Sequence, residues 1–155
     1  MPIEIRPVAL ADVAGVVSLV RETLAEFGLK FGVGAETDSA LQQLPASYTQ
    51  HGGQFWVAID DHGSIVGTAG VFPVEPRVFE LRKMYLHPGV RGQGIGLRLY
   101  HESLAFCRQQ QATAMVLDTH ETMRTAIAFY ERQGFVRDDA QLRGSRCTRG
   151  YRLDL

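Results

Sequence analysis

Residues 79–97 read FELRKMYLHPGVRGQGIGL, and no other stretch so narrows what the chain can become. The pattern is a strand, a short turn with a proline, and a glycine-rich loop opening directly into a helix. Glycines at 92, 94 and 96 remove three side chains within five residues. Glycines this dense before a helix mean that something large must approach the backbone closely. A helix start carries unpaired N–H groups and the positive end of the dipole, so its natural guest is an anion, phosphate above all. Arg91 stands at the mouth of the loop and Arg98 in the first turn after it. A plain strand-to-helix turn needs one or two special backbone positions, not a run of glycines behind an arginine.

The rest of the chain must supply a core for this unit. Its 155 residues fit one domain, 1–155, and 45% of them are hydrophobic, enough for a folded globule. Sixteen basic against 17 acidic residues leave a net charge of −1. That balance argues against nucleic-acid binding by bulk charge, though a local basic pocket stays open. Cys107 and Cys147 have neither metal nor redox spacing, and no metal ligand set is expected. No signal peptide and no apolar run long enough for a bilayer are visible, so no membrane partner and a reduced, cytoplasmic location are the expectation.

Taken in order, Ile3–Pro7 reads as a half-buried strand and Ala9–Phe27 as an amphipathic helix. Val13, Val16, Val17, Val20, Leu24 and Phe27 form its stripe. The loop 28–34, GLKFGVG, is either a packed connection or a lid. A short helix is expected over Asp38–Leu44. Strands are expected at Gln54–Ile59, Ser64–Phe72 and Val78–Leu86, an antiparallel meander turned at Asp60–Gly63 and between Pro73 and Pro76. Gly94–Gln110 follows as a helix with Leu97, Tyr100, Leu104 and Cys107 inward, then a strand at Thr113–Asp118. That order makes a crossover with 78–86 and 113–118 parallel. A helix over Thr122–Gln133 turns Met123, Ala126, Ile127 and Tyr130 to one side. Short strands begin at Phe135 and Cys147, and 137–146 reads as an exposed polar loop.

A strand, Gly92-Gln93-Gly94, a helix and a strand ending in Asp118 imitate a dinucleotide fingerprint. Leu97, however, stands where that pattern needs a small residue, and the unit follows a meander, not repeated βαβ units. The triphosphatase loop needs Gly-Lys-Ser/Thr, which is missing here.

The residues resemble a known family instead. Arg91-Gly92-Gln93-Gly94-Ile95-Gly96 matches the Arg/Gln-x-x-Gly-x-Gly/Ala signature of the GCN5-related N-acetyltransferases (GNAT superfamily). Ala126-Ile127-Ala128-Phe129-Tyr130-Glu131-Arg132-Gln133-Gly134-Phe135 is similar to that family's later Ala-x-x-x-Tyr-x-x-x-Gly-Phe segment. The resemblance implies a mixed α/β fold: a mostly antiparallel sheet with one splayed parallel strand pair and helices on both faces. It implies acetyl-CoA as co-substrate and no metal. The amides of Gly92, Gln93, Gly94, Ile95, Gly96 and Leu97 would cradle the pyrophosphate with Arg91 at the mouth of the loop as a further cofactor-binding residue, and backbone groups of Met84, Tyr85 and Leu86 would hold the pantetheine arm. Tyr130 takes the position of the acid that protonates the departing thiolate. For the base, Glu80 is the candidate, with ordered water, His87 and His120 as alternatives. By strand alternation Glu80, Arg82, Met84 and Leu86 share one face. Met123 stands where many members have an asparagine that touches the cofactor.

The implied activity is acetyl transfer to a primary amine of a small molecule or peptide, by direct attack in a ternary complex. A non-catalytic acyl-CoA sensor would keep the loop without needing the acid. Glu26, Glu36, Asp38, Asp138 and Asp139 would suit a cationic acceptor; Arg77, Arg82, Arg143 and Arg146 would suit an acidic one. Family members commonly pair, so a homodimer is open.

Overall fold

The computed structural model describes residues 2–155. Seven strands form one sheet: β1 (Glu4–Pro7), β2 (Gln54–Ile59), β3 (Ile65–Glu75), β4 (Val78–Leu86), β5 (Ala114–Thr119), β6 (Val136–Arg137) and β7 (Arg149–Asp154). Their spatial order is β1-β2-β3-β4-β5-β7-β6. Every neighbouring pair is antiparallel except β4 with β5, the expected crossover.

Helices cover both faces because the central strands are apolar on both. In β2, Phe55, Val57 and Ile59 join one buried cluster and Trp56 and Ala58 the other, as a pleat of period two requires. The first cluster lies under α1 (Val13–Glu26) and the short α2 (Ala46–Thr49), through Val16, Val20, Leu24 and Tyr48. The second lies under α3 (Ile95–Gln109) and α4 (Arg124–Arg132), through Leu99, Tyr100, Cys107, Ile127 and Tyr130. Cys107 is a core residue, its thiol pushed up to about 12 by burial.

Several expectations shift. β3 runs on through Pro73 to Glu75, because β2 pairs no further than Val71 and the proline lies where that edge of β3 is free. The segment at 36–43 is a 3-10 turn, Glu36–Gln43, followed by α2. In α3 the buried stripe is Ile95, Leu99, Tyr100, Ser103 and Cys107, while Leu97 is 38% exposed. The helix starts with Ile95 driven into the core, which rotates the stripe away from Leu97.

The feature that shapes the site lies in β4. Thr68 faces Tyr85, but Gly70 faces Arg82, so β4 carries one residue more than β3. This is a bulge, and Lys83 sits there with φ +54°, in the left-handed region. The expected alternation therefore breaks. Glu80 and Arg82 keep to one face, whereas Met84 and Leu86 join Phe79 and Leu81 on the other, and Tyr85 turns to the α1 side. A bulge also bends its strand. β4 and β5 pair only at Val78–Ala114, Phe79–Met115 and Glu80–Val116. Beyond them β5 stays with β7 and β4 with β3, leaving a gap in mid-sheet.

Close packing around β3 gives a direct check. A Cβ on Gly70 would come within 2.5 Å of the Phe55 ring and 2.8 Å of the Tyr48 ring. Gly70→Ala is expected to cost about 1–3 kcal/mol of stability, the usual range for overpacking, read as a fall in the urea midpoint at unchanged m-value.

Candidate active site

The loop before α3 has the backbone its glycines predict. Gly92 and Gly94 adopt φ of +78° and +79°, with open space where a Cβ would stand. The first α3 bond runs from Arg98 N–H to Gly94 C=O at 3.1 Å, and among the described residues no amide from Gly92 to Leu97 donates to a protein acceptor. Six consecutive donors are thus presented at the head of a helix of 15 residues, which suits a diphosphate. Gly96 is regular helix, its would-be Cβ 3.4 Å from Leu86. Ile95 anchors the turn in the core, and the Gln93 amide reaches Gly89 C=O at 3.4 Å.

Arg91 has a different task from the one its position invites. Its Nε and Nη2 donate to Leu86 C=O at 3.1 and 3.0 Å, and Nη1 and Nη2 grip both oxygens of Glu26 at 2.6 and 2.8 Å. The guanidinium clamps the loop to β4 and to the end of α1. Its charge in turn holds the Glu26 carboxyl below the usual range.

Where β4 and β5 part, a cleft of about 600 Å³ opens. Met84 and Tyr85 line it from β4, Asp118 and Thr119 from β5, and Met123, Ala126 and Tyr130 from α4 and its approach. Tyr130 is 7% exposed, and its hydroxyl has no protein partner among the described residues. Burial raises its pKa, so the phenol keeps its proton at neutral pH. Met123 is buried, its sulfur accepting the Thr119 hydroxyl at 3.7 Å. His120 lines the cleft with Nδ1 receiving the Thr122 N–H at 3.1 Å. His87 is exposed, outside the cleft, and its Nδ1 takes the Gly89 N–H.

Glu80 lies at the floor of the cleft, almost wholly buried. One oxygen accepts Arg82 Nε at 2.5 Å, and the other faces Arg143 Nη1 at 3.4 Å. A second ionic cluster escaped the reading of the sequence. Asp38, fully buried, takes the Lys83 ammonium on Oδ1. It also receives Arg146 at 2.6 and 3.1 Å and the Gly32 N–H at 2.7 Å. Burial works to raise its pKa, but Arg146, Lys83 and Gly32 together outweigh that and lower it. Burial in turn lowers Lys83. Residues 28–34 are tied to this cluster at two points while Val33 stays exposed: Arg146 N–H bonds Gly34 C=O at 3.0 Å, and its side chain bonds Lys30 C=O at 3.2 Å. The segment 137–146, expected to be an exposed loop, is exposed at most of its positions, but Gln141 is buried, Arg143–Arg146 line the cleft, and Asp118 accepts the Arg143 and Gly144 amides. Asp38 and Arg146 are 108 positions apart; no spacing rule joins them.

The acetyltransferase (GNAT) family profile matches residues 17–135. The chain belongs to that family. The uncharacterized N-acetyltransferase YjgM of Escherichia coli K12 is 32% identical over 141 residues, covering 88% of this chain and 84% of its own. An acetyltransferase of the GNAT family from Staphylococcus aureus Mu50 superposes with a TM-score of 0.91 at 24% identity, over 99% of both chains. The PaiA N-acetyltransferase of Thermoplasma acidophilum, solved in complex with coenzyme A, shares the fold with a TM-score of 0.79 at 20% identity over the whole of both chains. This acetyltransferase uses acetyl-CoA as its acetyl donor, and none of its described helices is long and apolar enough to cross a membrane.

The Asp38 cluster predicts a pH signature. Because the folded-state pKa is depressed, the stability it contributes is present above the unfolded value of about 3.9 and is lost as pH falls further. Asp38→Ala strands two buried cations and is expected to cost about 3–5 kcal/mol at pH 7. In urea titrations, wild type and variant should converge as pH drops below about 4.

Proposed function

We propose that this acetyltransferase passes the acetyl group directly to a primary amine of a small molecule or peptide held in the same cleft. The observation that carries the reading is the protonated, unpartnered phenol of Tyr130 facing the gap beside Met84 and Tyr85. In this reading the amides from Gly92 to Leu97 bind the pyrophosphate, and Arg91 acts by holding their loop against Leu86 and Glu26. The backbone of Met84, Tyr85 and Leu86, unpaired toward β5, binds the pantetheine arm. One of its N–H groups carries the charge that develops on the thioester oxygen. Tyr130 then gives its proton to the sulfur as the carbon–sulfur bond breaks.

Glu80, the candidate base, is in our reading a positioning residue. Guanidiniums face both of its oxygens, and these contacts occupy the lone pairs that a base would turn to an amine. Asp38 is spent on Lys83 and Arg146, and the Asp118 carboxylate on two amides. The acceptor amine then sheds its proton to ordered water at the mouth of the cleft or to His120 on its lining, whose Nδ1 alone is engaged.

Three variants test these roles. Tyr130→Phe should lower kcat about ten- to a thousandfold while coenzyme A still binds; unchanged turnover would contradict the acid role, and a sensor without catalysis would show no turnover to lose. Gly94→Arg, which fills the open cradle at a positive φ, should abolish coenzyme A binding by calorimetry. Glu80→Gln should raise the acceptor KM but leave the acid limb of the kcat/KM profile tracking the pKa of the amine. Loss of that limb would restore Glu80 as the base.

A further inference from the structure

We propose that the acceptor amine carries a carboxylate, gripped by Arg143 and Arg82 on either side of Glu80. The inference rests on the acyl-transfer reading of the same cleft and names the class of acceptor for it.

The four cations lining the cleft are not equivalent. Lys83 and Arg146 converge on Asp38, with side chains only 4% and 8% exposed, and their charge is spent there. Arg82 and Arg143 share the single carboxylate of Glu80, so this cluster holds two positive charges against one negative. Asp118 adds a second negative charge behind Arg143, its Oδ2 held by the Arg143 and Gly144 main-chain amides, so with it the charges balance and what Arg82 and Arg143 have to spare is hydrogen-bond donors. Glu36, the other acid on the lining, is solvent-exposed at the rim.

The donor inventory points the same way. A guanidinium offers five N–H donors in a fixed fork. Arg143 uses only Nη1, toward Glu80 Oε2 at 3.4 Å, Gln141 C=O at 3.0 Å and Gln141 Oε1 at 3.4 Å. Its Nε and Nη2, the edge that takes a carboxylate side-on through two parallel bonds, have no protein partner among the described residues. Arg82 spends Nε on Glu80, lies 4.3 Å over the Phe72 ring and stands beside the buried Tyr48 hydroxyl, so Arg143 carries the larger share of free donors. The Arg143 side chain is 34% exposed and that of Arg82 15%, so an incoming ligand reaches both. Glu80 spaces the two forks and cancels enough of their repulsion for both to face the cleft. An acceptor with a second cation instead would meet this pair head on.

The test compares four amino acids, alanine, glutamate, phenylalanine and methionine, with their carboxamides, by coenzyme A thiol release and by calorimetric titration in the presence of coenzyme A. The expected result is an acid-over-amide preference of about ten- to a hundredfold for at least one pair, the scale of hydrogen bonds to a charged group. Arg143→Met should collapse that ratio toward one, and Arg143→Lys should recover only part of it, since an ammonium cannot fork. Because the ratio is internal to each protein, a general loss of folding does not imitate the result. No preference in the wild type, or a preference that survives Arg143→Met, overturns the proposal. Thiol release that is equal for acids and amides removes the carboxylate clamp and leaves the transfer reading standing. Selective binding of the acids without thiol release does the reverse.

Discussion

Everything distinctive about this protein follows from the parting of two parallel strands. β4 and β5 share three residue pairs and then diverge, and the bulge at Lys83 supplies the bend. A parallel pair that stayed zipped would have every N–H and C=O satisfied and no room for a ligand. The break gives up several ladder hydrogen bonds and exposes a strand edge in the middle of the sheet, where an elongated thioester can borrow the missing partners. The same bulge sends Met84 and Leu86 to the α3 face and leaves Glu80 and Arg82 on the cleft side. One inserted residue thus puts side chains of the two halves of the strand on different faces of the sheet.

Such an opening needs support, and the chain provides it with charge. Asp38 gathers Lys83, Arg146 and the Gly32 amide, tying the 3-10 turn, the bulge and two distant loops to one buried point. Arg91 performs the same service at the other end, joining the glycine loop, Leu86 and Glu26. The Arg91–Glu26 pair is partly exposed, whereas the Asp38 cluster is buried, and buried ion pairs are poor sources of net stability but strict in their geometry. Around a cleft that must keep its shape, that exchange is favourable.

Much of this was legible in the residues. β2 and β4 fall at the expected positions, because alternation and turn chemistry speak clearly there. Glycines at 92 and 94 marked a loop bare of side chains, and Tyr130 its place on the inner face of α4. The bulge was not legible: Lys83 is a non-glycine residue in the left-handed region, and nothing in the local pattern marks it, so strand alternation placed Glu80 and Met84 together. Nor was the Asp38–Arg146 pair, formed by tertiary packing alone. In α3 periodicity placed Tyr100, Leu104 and Cys107 on the inner side and erred at Leu97, because Ile95 takes the core position at the helix start. Arg91 stands at the mouth of the loop, but its partner Glu26 lies 65 positions away, beyond the reach of any local rule.

The central claim is that the main-chain donors from Gly92 to Leu97 and the open edge of β4 hold the acetyl donor together. Amide chemical-shift mapping of the labelled protein on addition of coenzyme A addresses it residue by residue. The account predicts the largest shifts at the amides of residues 92–97 and 84–86, with smaller ones around Tyr130. A map centred on 137–146, with the glycine loop unmoved at saturation, would contradict it.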